Sequence, residues 1–228
     1  MPNRAELDEM VAYYRARAAE YDQWFYRQGR YDRGQAANAQ WAAEAAQVAA
    51  ELDRFQLRGH VLELACGTGI WTQQLLKHAD RITAVDASPE MIQINRHKVA
   101  SYRVTYIQAD LFQWKPTTKF DGVFCGFWLS HVPPDRLGAF WCMVVEALKP
   151  PGKVFFVDSL ASPTSTAVDH DLPRPGQLHL RKLNDGREFR IVKVFHPPEE
   201  IERVATAAGL QLKTQQTREY FQFGSGQL

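Results

Sequence analysis

Residues His60 to Thr72, HVLELACGTGIWT, constrain this chain more than any other stretch. Val61, Leu62 and Leu64 form a short apolar run interrupted by one acid, Glu63, which suits a strand buried in a parallel sheet. Cys66-Gly67-Thr68-Gly69 breaks that pattern, and Ile70 to Leu76 resumes it at helical spacing. Strand, glycine turn and helix together aim backbone N–H groups and a helix N-terminus at a ligand. Glycine lets the ligand approach closely because no Cβ intervenes. A dinucleotide fingerprint asks for G-x-G-x-x-G. Gly67 and Gly69 supply two of its glycines, and Thr72 stands where the third belongs. An ordinary buried strand and turn reads the same way, so the rest of the chain decides.

Beyond the turn, strands and helices alternate. Arg81–Asp86, Val104–Ile107, Phe120–Gly126 and Lys153–Asp158 read as strands. Ser88-Pro89-Glu90 opens a helix with an N-cap, a proline at the first position and an acid in the first turn. Leu137, Phe140, Trp141, Val144 and Leu148 mark another helix, stopped by Lys149-Pro150-Pro151-Gly152. This rhythm predicts an α/β fold, a doubly wound Rossmann-like sheet of seven strands. Asp86 ends its strand about 20 residues past the glycine turn, the spacing of an acid that holds ribose hydroxyls. The alternative for Asp86 is a surface acid beside a helix.

Ahead of this half, Met10, Tyr13, Tyr14, Arg17 and Tyr21 fall near one helical face, and Gln35 to Leu57 reads as a long amphipathic helix. Behind it, Ser159 to Leu178 is long for a loop, which marks it as functional or mobile. Asp169-His170-Asp171 lies inside it; adjacent residues rarely converge on one metal ion, so a substrate-facing or solvated loop is the expectation. Leu180–Leu183 and Glu188–Phe195 flank Asn184-Asp185-Gly186 as a hairpin with basic character from Arg181, Lys182, Arg187, Arg190 and Lys193. A helix from Pro197 to Gly209 and one strand over Gln211–Phe223 close the chain.

At 228 residues and 45% hydrophobic content, one core is the default. The expectation is a single domain: residues 1–57 as an N-terminal helical lid, 58–158 as a cofactor-binding half and 159–228 as a substrate-side half with an inserted loop and hairpin cap. Lys plus Arg number 27 against 26 Asp plus Glu, a balance that offers no global field for nucleic acid or an anionic membrane. Cys66, Cys125 and Cys142 lack metal-ligand spacing and sit in or beside apolar segments, as buried thiols do in a reducing cytosol. The N-terminus has no signal-peptide core and no run approaches a membrane span, so a cytoplasmic protein acting on a small molecule, with no metal, is expected.

Glu63 followed by Ala65-Cys66-Gly67-Thr68-Gly69 resembles the first motif of the class I S-adenosylmethionine-dependent methyltransferases, with Ala65 in place of its first glycine. The resemblance implies S-adenosyl-L-methionine as cofactor. It implies Glu63 for the methionine amino group, Ala65, Gly67 and Gly69 for close approach, and Asp86 with Ala87 for ribose. Met91 would pack on the adenine, and Asp110, flanked by Ala109 and Leu111, would accept from its amino group. Phe127-Trp128-Leu129-Ser130-His131-Val132 is similar to the segment that passes the reacting methyl; Phe127 and Trp128, with Trp24 and Phe25, are its expected walls. His131 is the candidate catalytic residue, as a base or as a group that holds an acidic acceptor. Tyr13-Tyr14-Arg15 ahead of Glu20-Tyr21-Asp22 resembles the lid of small-molecule methyltransferases, with Tyr14 against the cofactor. The basic hairpin, lid and His131 loop together look like a phosphonate O-methyltransferase, which implies an anionic acceptor. The alternatives are N-methylation of a small molecule, RNA methylation, an NAD-dependent oxidoreductase, which Thr72 argues against, and a catalytically silent S-adenosylmethionine-binding protein.

Overall fold

The computed structural model describes residues 2–170 and 176–228. In chain order its elements are α1 (Arg4–Arg17), α2 (Tyr21–Phe25), α3 (Gln35–Phe55), β1 (Gly59–Leu64), α4 (Ile70–Leu75), β2 (Ala79–Asp86), α5 (Pro89–Val99), β3 (Val104–Gln108), β4 (Phe120–Gly126), α6 (Pro134–Ala147), β5 (Leu148–Ser159), β6 (Leu178–Lys182), β7 (Glu188–Val192), α7 (Pro198–Ala207), β8 (Gln211–Gln216) and β9 (Phe221–Gln227). Seven strands form one sheet in the order β3-β2-β1-β4-β5-β9-β8. The first five are mutually parallel, and β9 runs antiparallel to both β5 and β8.

Alternation along each strand assigns the two faces. Val61, Ile82, Ala84, Phe124 and Phe155 pack with Trp41, Val48 and Leu52 of α3 and with Trp71 and Leu75 of α4. Leu62, Leu64, Val85, Val123 and Phe156 pack with Leu137, Trp141 and Val144 of α6 and with Ile201 and Ala205 of α7. Glu63 shares the parity of Val61 and therefore points to the α4 side. Another buried acid, Glu44 on the apolar stripe of α3, accepts hydrogen bonds from the Tyr220 and Glu219 N–H groups at 2.8 and 3.2 Å and from the Thr217 hydroxyl. It fastens α3 to the turn between β8 and β9.

The hairpin strands are Leu178–Lys182 and Glu188–Val192 rather than Leu180–Leu183 and Glu188–Phe195, and two further differences from expectation bear on the main sheet. The closing segment is a pair of strands, β8 and β9, rather than one, and β9 continues through Gly224 and Gly226 to Gln227. A Cβ at Gly224 would collide with the Phe156 ring, and one at Gly226 with the Gln211 carbonyl. The glycines are there for close packing and hide the strand's periodicity. Lys149 to Gly152 do not follow α6 as a stop; they begin β5. Among the described residues no helix is long and apolar enough to cross a membrane.

The N-terminal helix has a core of its own. Asn3 and Glu6 form a capping box at its start, and Leu7, Met10 and Tyr13 pack onto Leu183, Ile191 and Val192 of the hairpin β6–β7. The hairpin is a separate two-stranded sheet. α1 therefore sits on the hairpin rather than on the main sheet. Met10→Ala should cost about 2–4 kcal/mol of this local docking. Hydrogen exchange should then rise in residues 4–17 and 188–192 while strands β1 and β4 keep their protection. Uniform loss of protection across the main sheet would show that the core between α1 and the hairpin is not a separate unit.

Candidate functional site

Strand order reverses between β1 and β4, so helices leave the sheet in opposite directions and a crevice opens beyond the carboxyl ends of these strands. A cavity of about 660 Å³ lies there. It is lined by ten of the sequence-predicted residues: Tyr14, Ala65, Gly67, Asp86, Ala87, Met91, Asp110, Leu111, Phe127 and His131. Trp128, Phe112, Tyr21 and Ser88 join them. Glu63 lies deeper, lining an adjoining space of about 290 Å³ with Ala65, Gly67, Thr68 and Phe127. Gly69 and Ala109 do not line these spaces; Ala109 donates its N–H to the Asp86 carbonyl at 2.9 Å, and Gly69 packs against Asn95.

The turn geometry is set by the residues themselves. Ala65 and Phe127, each just beyond the end of its strand, adopt left-handed backbone with φ of 55° and 57°. A side chain there costs about 1 kcal/mol, so a glycine in place of Ala65 would be the relaxed choice. Gly67 also has positive φ, at 50°, and a Cβ on it would meet no atom within 4 Å. Its bare face looks into open space, as a closely approaching ligand requires. Its N–H donates to Asp86 Oδ2 at 2.9 Å, while Asp86 Oδ1 accepts from the Ser88 N–H at 2.9 Å. Each carboxylate oxygen keeps a lone pair, enough to accept from two vicinal hydroxyls. Burial raises the Asp86 pKa against these N–H bonds. Asp110 accepts from the Phe112 N–H at 3.0 Å, from Gln113 at 2.8 Å and from Arg4 at 2.9 Å.

Glu63 is 1% exposed. Its Oε2 accepts from the Thr72 hydroxyl at 2.7 Å, and no cation among the described residues pairs with it. Burial, with Asp86 adding to it, pushes its pKa up to about 8. A carboxylate of this kind at the end of a cavity fits a cationic ligand group such as an ammonium.

A second cavity, of about 520 Å³, lies toward α1 and the hairpin and shares Tyr14, Tyr21, Phe127 and His131 with the first. Its polar character comes from Arg17, Arg181 and Lys193, with His170, Tyr31 and Ser165 around them. Arg17 is buried under three tyrosine rings, 5.0–5.6 Å from those of Tyr13, Tyr21 and Tyr31, and has no carboxylate partner among the described residues. Lys193 donates to Ser130 Oγ at 2.7 Å and stands 3.6 Å from Asp158. Burial lowers the Lys193 pKa and Asp158 opposes that shift. Asp158 is fully buried and accepts from the Ser130 and Ser159 N–H groups at 2.8 and 2.7 Å.

His131 sits on the boundary. Its Nδ1 lies 2.6 Å from the Val192 carbonyl, which fixes the proton on Nδ1. Nε2 is then the acceptor for the Tyr14 hydroxyl at 2.7 Å. Burial, reinforced by Lys193, holds the imidazole pKa well below its ordinary value. The ring is neutral and both nitrogens are engaged, which suits orientation of Tyr14 better than proton abstraction.

Of the expected aromatic walls, Trp24 and Phe127 line the second cavity and Trp128 the first, while Phe25 packs behind them on Trp71 and Phe127. In the Asp169-His170-Asp171 stretch, Asp169 pairs with Arg30 at 2.7 Å, and His170 bonds Thr166 at 2.9 Å. Asp171 lies outside the described residues, and no group of three metal-ligating side chains converges among the described ones. Sequence reasoning does not single out Arg17, Asp158 or Thr72 for the site. A lone arginine on a tyrosine stripe and an acid closing an apolar strand are the available signals; Thr72 reads only as a missing glycine.

A methyltransferase domain model matches residues 61–152. A ubiquinone biosynthesis O-methyltransferase of Xanthomonas euvesicatoria pv. vesicatoria (strain 85-10) is 30% identical over 167 residues, 70% of this chain and 66% of that protein. The corresponding Xanthomonas oryzae protein (strain PXO99A) is matched over 51% of its length at 32% identity. The chain thus spans between half and two thirds of the length of these relatives. Among solved structures, DhpI in complex with SAH is 37% identical with a TM-score of 0.80, covering 99% of this chain and 98% of that one. DhpI has also been solved in complex with SAM and HEP, at the same identity and TM-score.

The Glu63 environment sets a pH-dependent stability. Its folded pKa of about 8 lies above its ordinary 4.5. Its contribution is therefore fully present below about pH 4.5 and is lost as pH rises through 8. Glu63→Gln in the ligand-free protein should become progressively more stable than wild type between pH 5 and 8, by a few kcal/mol at the upper end at about 1.4 kcal/mol per pKa unit. Urea midpoints across pH measure the difference; a flat difference would refute the buried, uncompensated carboxyl.

Proposed function

The chain belongs to the class I S-adenosylmethionine-dependent methyltransferases, and from that premise we propose that it moves the methyl group of S-adenosylmethionine to an oxygen of a small anionic acceptor, a phosphonate first among candidates. The observation that carries this reading is the pairing of two cavities of opposite charge across one shared wall of Tyr14, Tyr21, Phe127 and His131. S-adenosylmethionine supplies an electrophilic methyl on a sulfonium. The first cavity and the space adjoining it offer acids at three places for such a ligand: Glu63 for the ammonium, Asp86 for the ribose hydroxyls and Asp110 for the adenine amine. Met91 and Leu111 give the adenine apolar faces. The second cavity offers Arg17, Arg181 and Lys193 to an anion.

An ionised acceptor oxygen is already nucleophilic, so no residue has to remove a proton from it. This agrees with a neutral, doubly bonded His131. The chain's contribution is then alignment and exclusion of water. The cations hold the acceptor, and Tyr14, fixed by His131, and Phe127 shape the passage between the cavities. The homologue DhpI, solved with SAM and HEP, supports a small-molecule acceptor for this chain.

Isothermal titration with S-adenosylhomocysteine tests the cofactor half. Wild type should bind, and Asp86→Ala should lose roughly 10- to 100-fold in affinity, the effect of removing two charge-assisted hydrogen bonds. No binding to wild type would end the proposal. For the acceptor half, a panel of matched alkyl phosphonates, carboxylates, alcohols and amines should show turnover of the phosphonates. With the best of these, Lys193→Met should raise KM about tenfold or more and change kcat less. Preferential turnover of a neutral alcohol or an amine, indifferent to Lys193→Met, would exclude the anionic acceptor.

A further inference from the structure

Thr72, Asn95 and Tyr106 form a buried hydrogen-bond chain that ends on Glu63. The Tyr106 hydroxyl donates to Asn95 Oδ1 at 2.9 Å. Asn95 Nδ2 faces the carbonyls of Cys66 and Gly67, at 3.3 Å each, and Thr72 Oγ1 at 2.9 Å. Two carbonyls accept but cannot donate, so this end of the amide is the NH₂ group and its orientation is fixed. Thr72 Oγ1 is then an acceptor from Asn95, which leaves its own proton for Glu63 Oε2 at 2.7 Å. Every donor in the series points the same way. Asn95 and Thr72 are each 0% exposed, so water does not compete. Gly69 belongs to the same construction: a Cβ there would meet Asn95 Oδ1 at 2.7 Å and displace it.

The carboxyl that receives this chain has little else in its favour. Around Glu63 the ionisable neighbours are Asp86 on β2, Cys66 in the turn and Tyr106 on β3. The strands beside it place Ala84 and Phe124 at its register. Burial and Asp86 both favour the protonated acid, and the Thr72 hydrogen bond is the opposing influence. A protonated Glu63 could not attract a cation.

We propose that Thr72 and Asn95 are positioning residues that commit a hydroxyl proton to Glu63, which favours its ionised form over the acid and aims the carboxylate at the cofactor's ammonium group. The proposal rests on the cofactor reading above. It assigns Thr72 a role in place of the third glycine of a dinucleotide turn: a glycine there would leave Glu63 without a donor.

The test is the pH profile of S-adenosylhomocysteine binding, with the number of protons released measured by titration in two buffers of different ionisation enthalpy. In wild type, affinity should rise with pH and level off once the free carboxyl is ionised. Thr72→Val keeps the shape and removes the donor. Its plateau should move up by about half to one pH unit, affinity at pH 7 should fall about three- to tenfold, and proton release at pH 7 should increase. Thr72→Ser should restore the wild-type profile. Tyr106→Phe, at the half-buried end of the chain, should move the plateau the same way by a smaller amount, and decides the matter if Thr72→Val does not fold. Glu63→Gln should bind weakly and independently of pH. Failure of wild type to bind overturns the cofactor reading itself. Wild-type binding that weakens in Glu63→Gln but keeps its pH profile in Thr72→Val, or in Tyr106→Phe where that variant decides, overturns the positioning role alone.

Discussion

The parallel pairing of β1 with β2 on one side and β4 on the other is the constraint on which the site depends. It brings the ends of three strands, Leu64, Asp86 and Gly126, to one edge of the sheet. Because strand order reverses at β1, the chain leaves β1 and β4 toward opposite faces, through α4 and α6, and nothing in the sheet closes the gap between them. The gap is then furnished locally. Asp86 takes the Gly67 N–H and so ties the end of β2 to the turn after β1. The left-handed residues Ala65 and Phe127 turn the chain away from the cavity mouth at a cost that the buried strands can absorb.

Three ion pairs join the N-terminal segment to residues around this gap. Arg4 pairs with Asp110, Arg15 with Glu90 and Asp22 with Lys98, at 2.9, 2.9 and 2.5 Å. All three pairs retain solvent exposure, so each contributes about 1 kcal/mol or less and is screened by salt. The stronger attachment is apolar, through Leu7, Met10 and Tyr13 on the hairpin. α1 and the hairpin thus form one unit, joined to the rest of the chain by these ion pairs, by the hydrogen bonds of Val192, Lys193 and Val194 to His131 and Ser130, and through α2 by Trp24 and Phe25 packed on Phe127. Tyr14 and Arg17 on α1 and Lys193 just beyond the hairpin reach the second cavity together because they ride on that unit.

The first half of the chain was the more legible in sequence because its signals are local. A strand, a glycine turn and a helix are contiguous, and Asp86 and Ser88 come after them at readable spacing; Ser88 caps α5 through the Met91 N–H at 3.1 Å as its sequence suggests. The second half depends on contacts far apart in sequence. No local pattern says that Arg17 will meet Tyr31 and Arg181, or that Asp158 will stand beneath Lys193. β9 escaped for a different reason: its glycines answer to Phe156 and Gln211 across the sheet, not to any periodicity of their own. Thr72 illustrates the limit of motif reading. Compared with a fingerprint it is a defect; placed beside Glu63 and Asn95 it is a hydrogen-bond donor in a dry site.

The charges of the two cavities explain why the wall between them is neutral. On the proposed reading a cationic donor lies on one side and an anionic acceptor on the other, and their charges cancel as the methyl passes. That event is favoured where water is excluded and no third charge stands in line. A protonated imidazole at His131 would repel the sulfonium and compete with Lys193 for the acceptor. Burial and the Lys193 ammonium keep the ring neutral against the opposing pull of Asp158 and Val192, while the Val192 carbonyl holds the proton on Nδ1 and so directs the Nε2 lone pair to Tyr14. The phenol, itself buried and held above its ordinary pKa, stays protonated. A histidine that looks like a base in sequence is thus, in the folded chain, the means by which a neutral hydrogen-bonding wall is held between two charged sites.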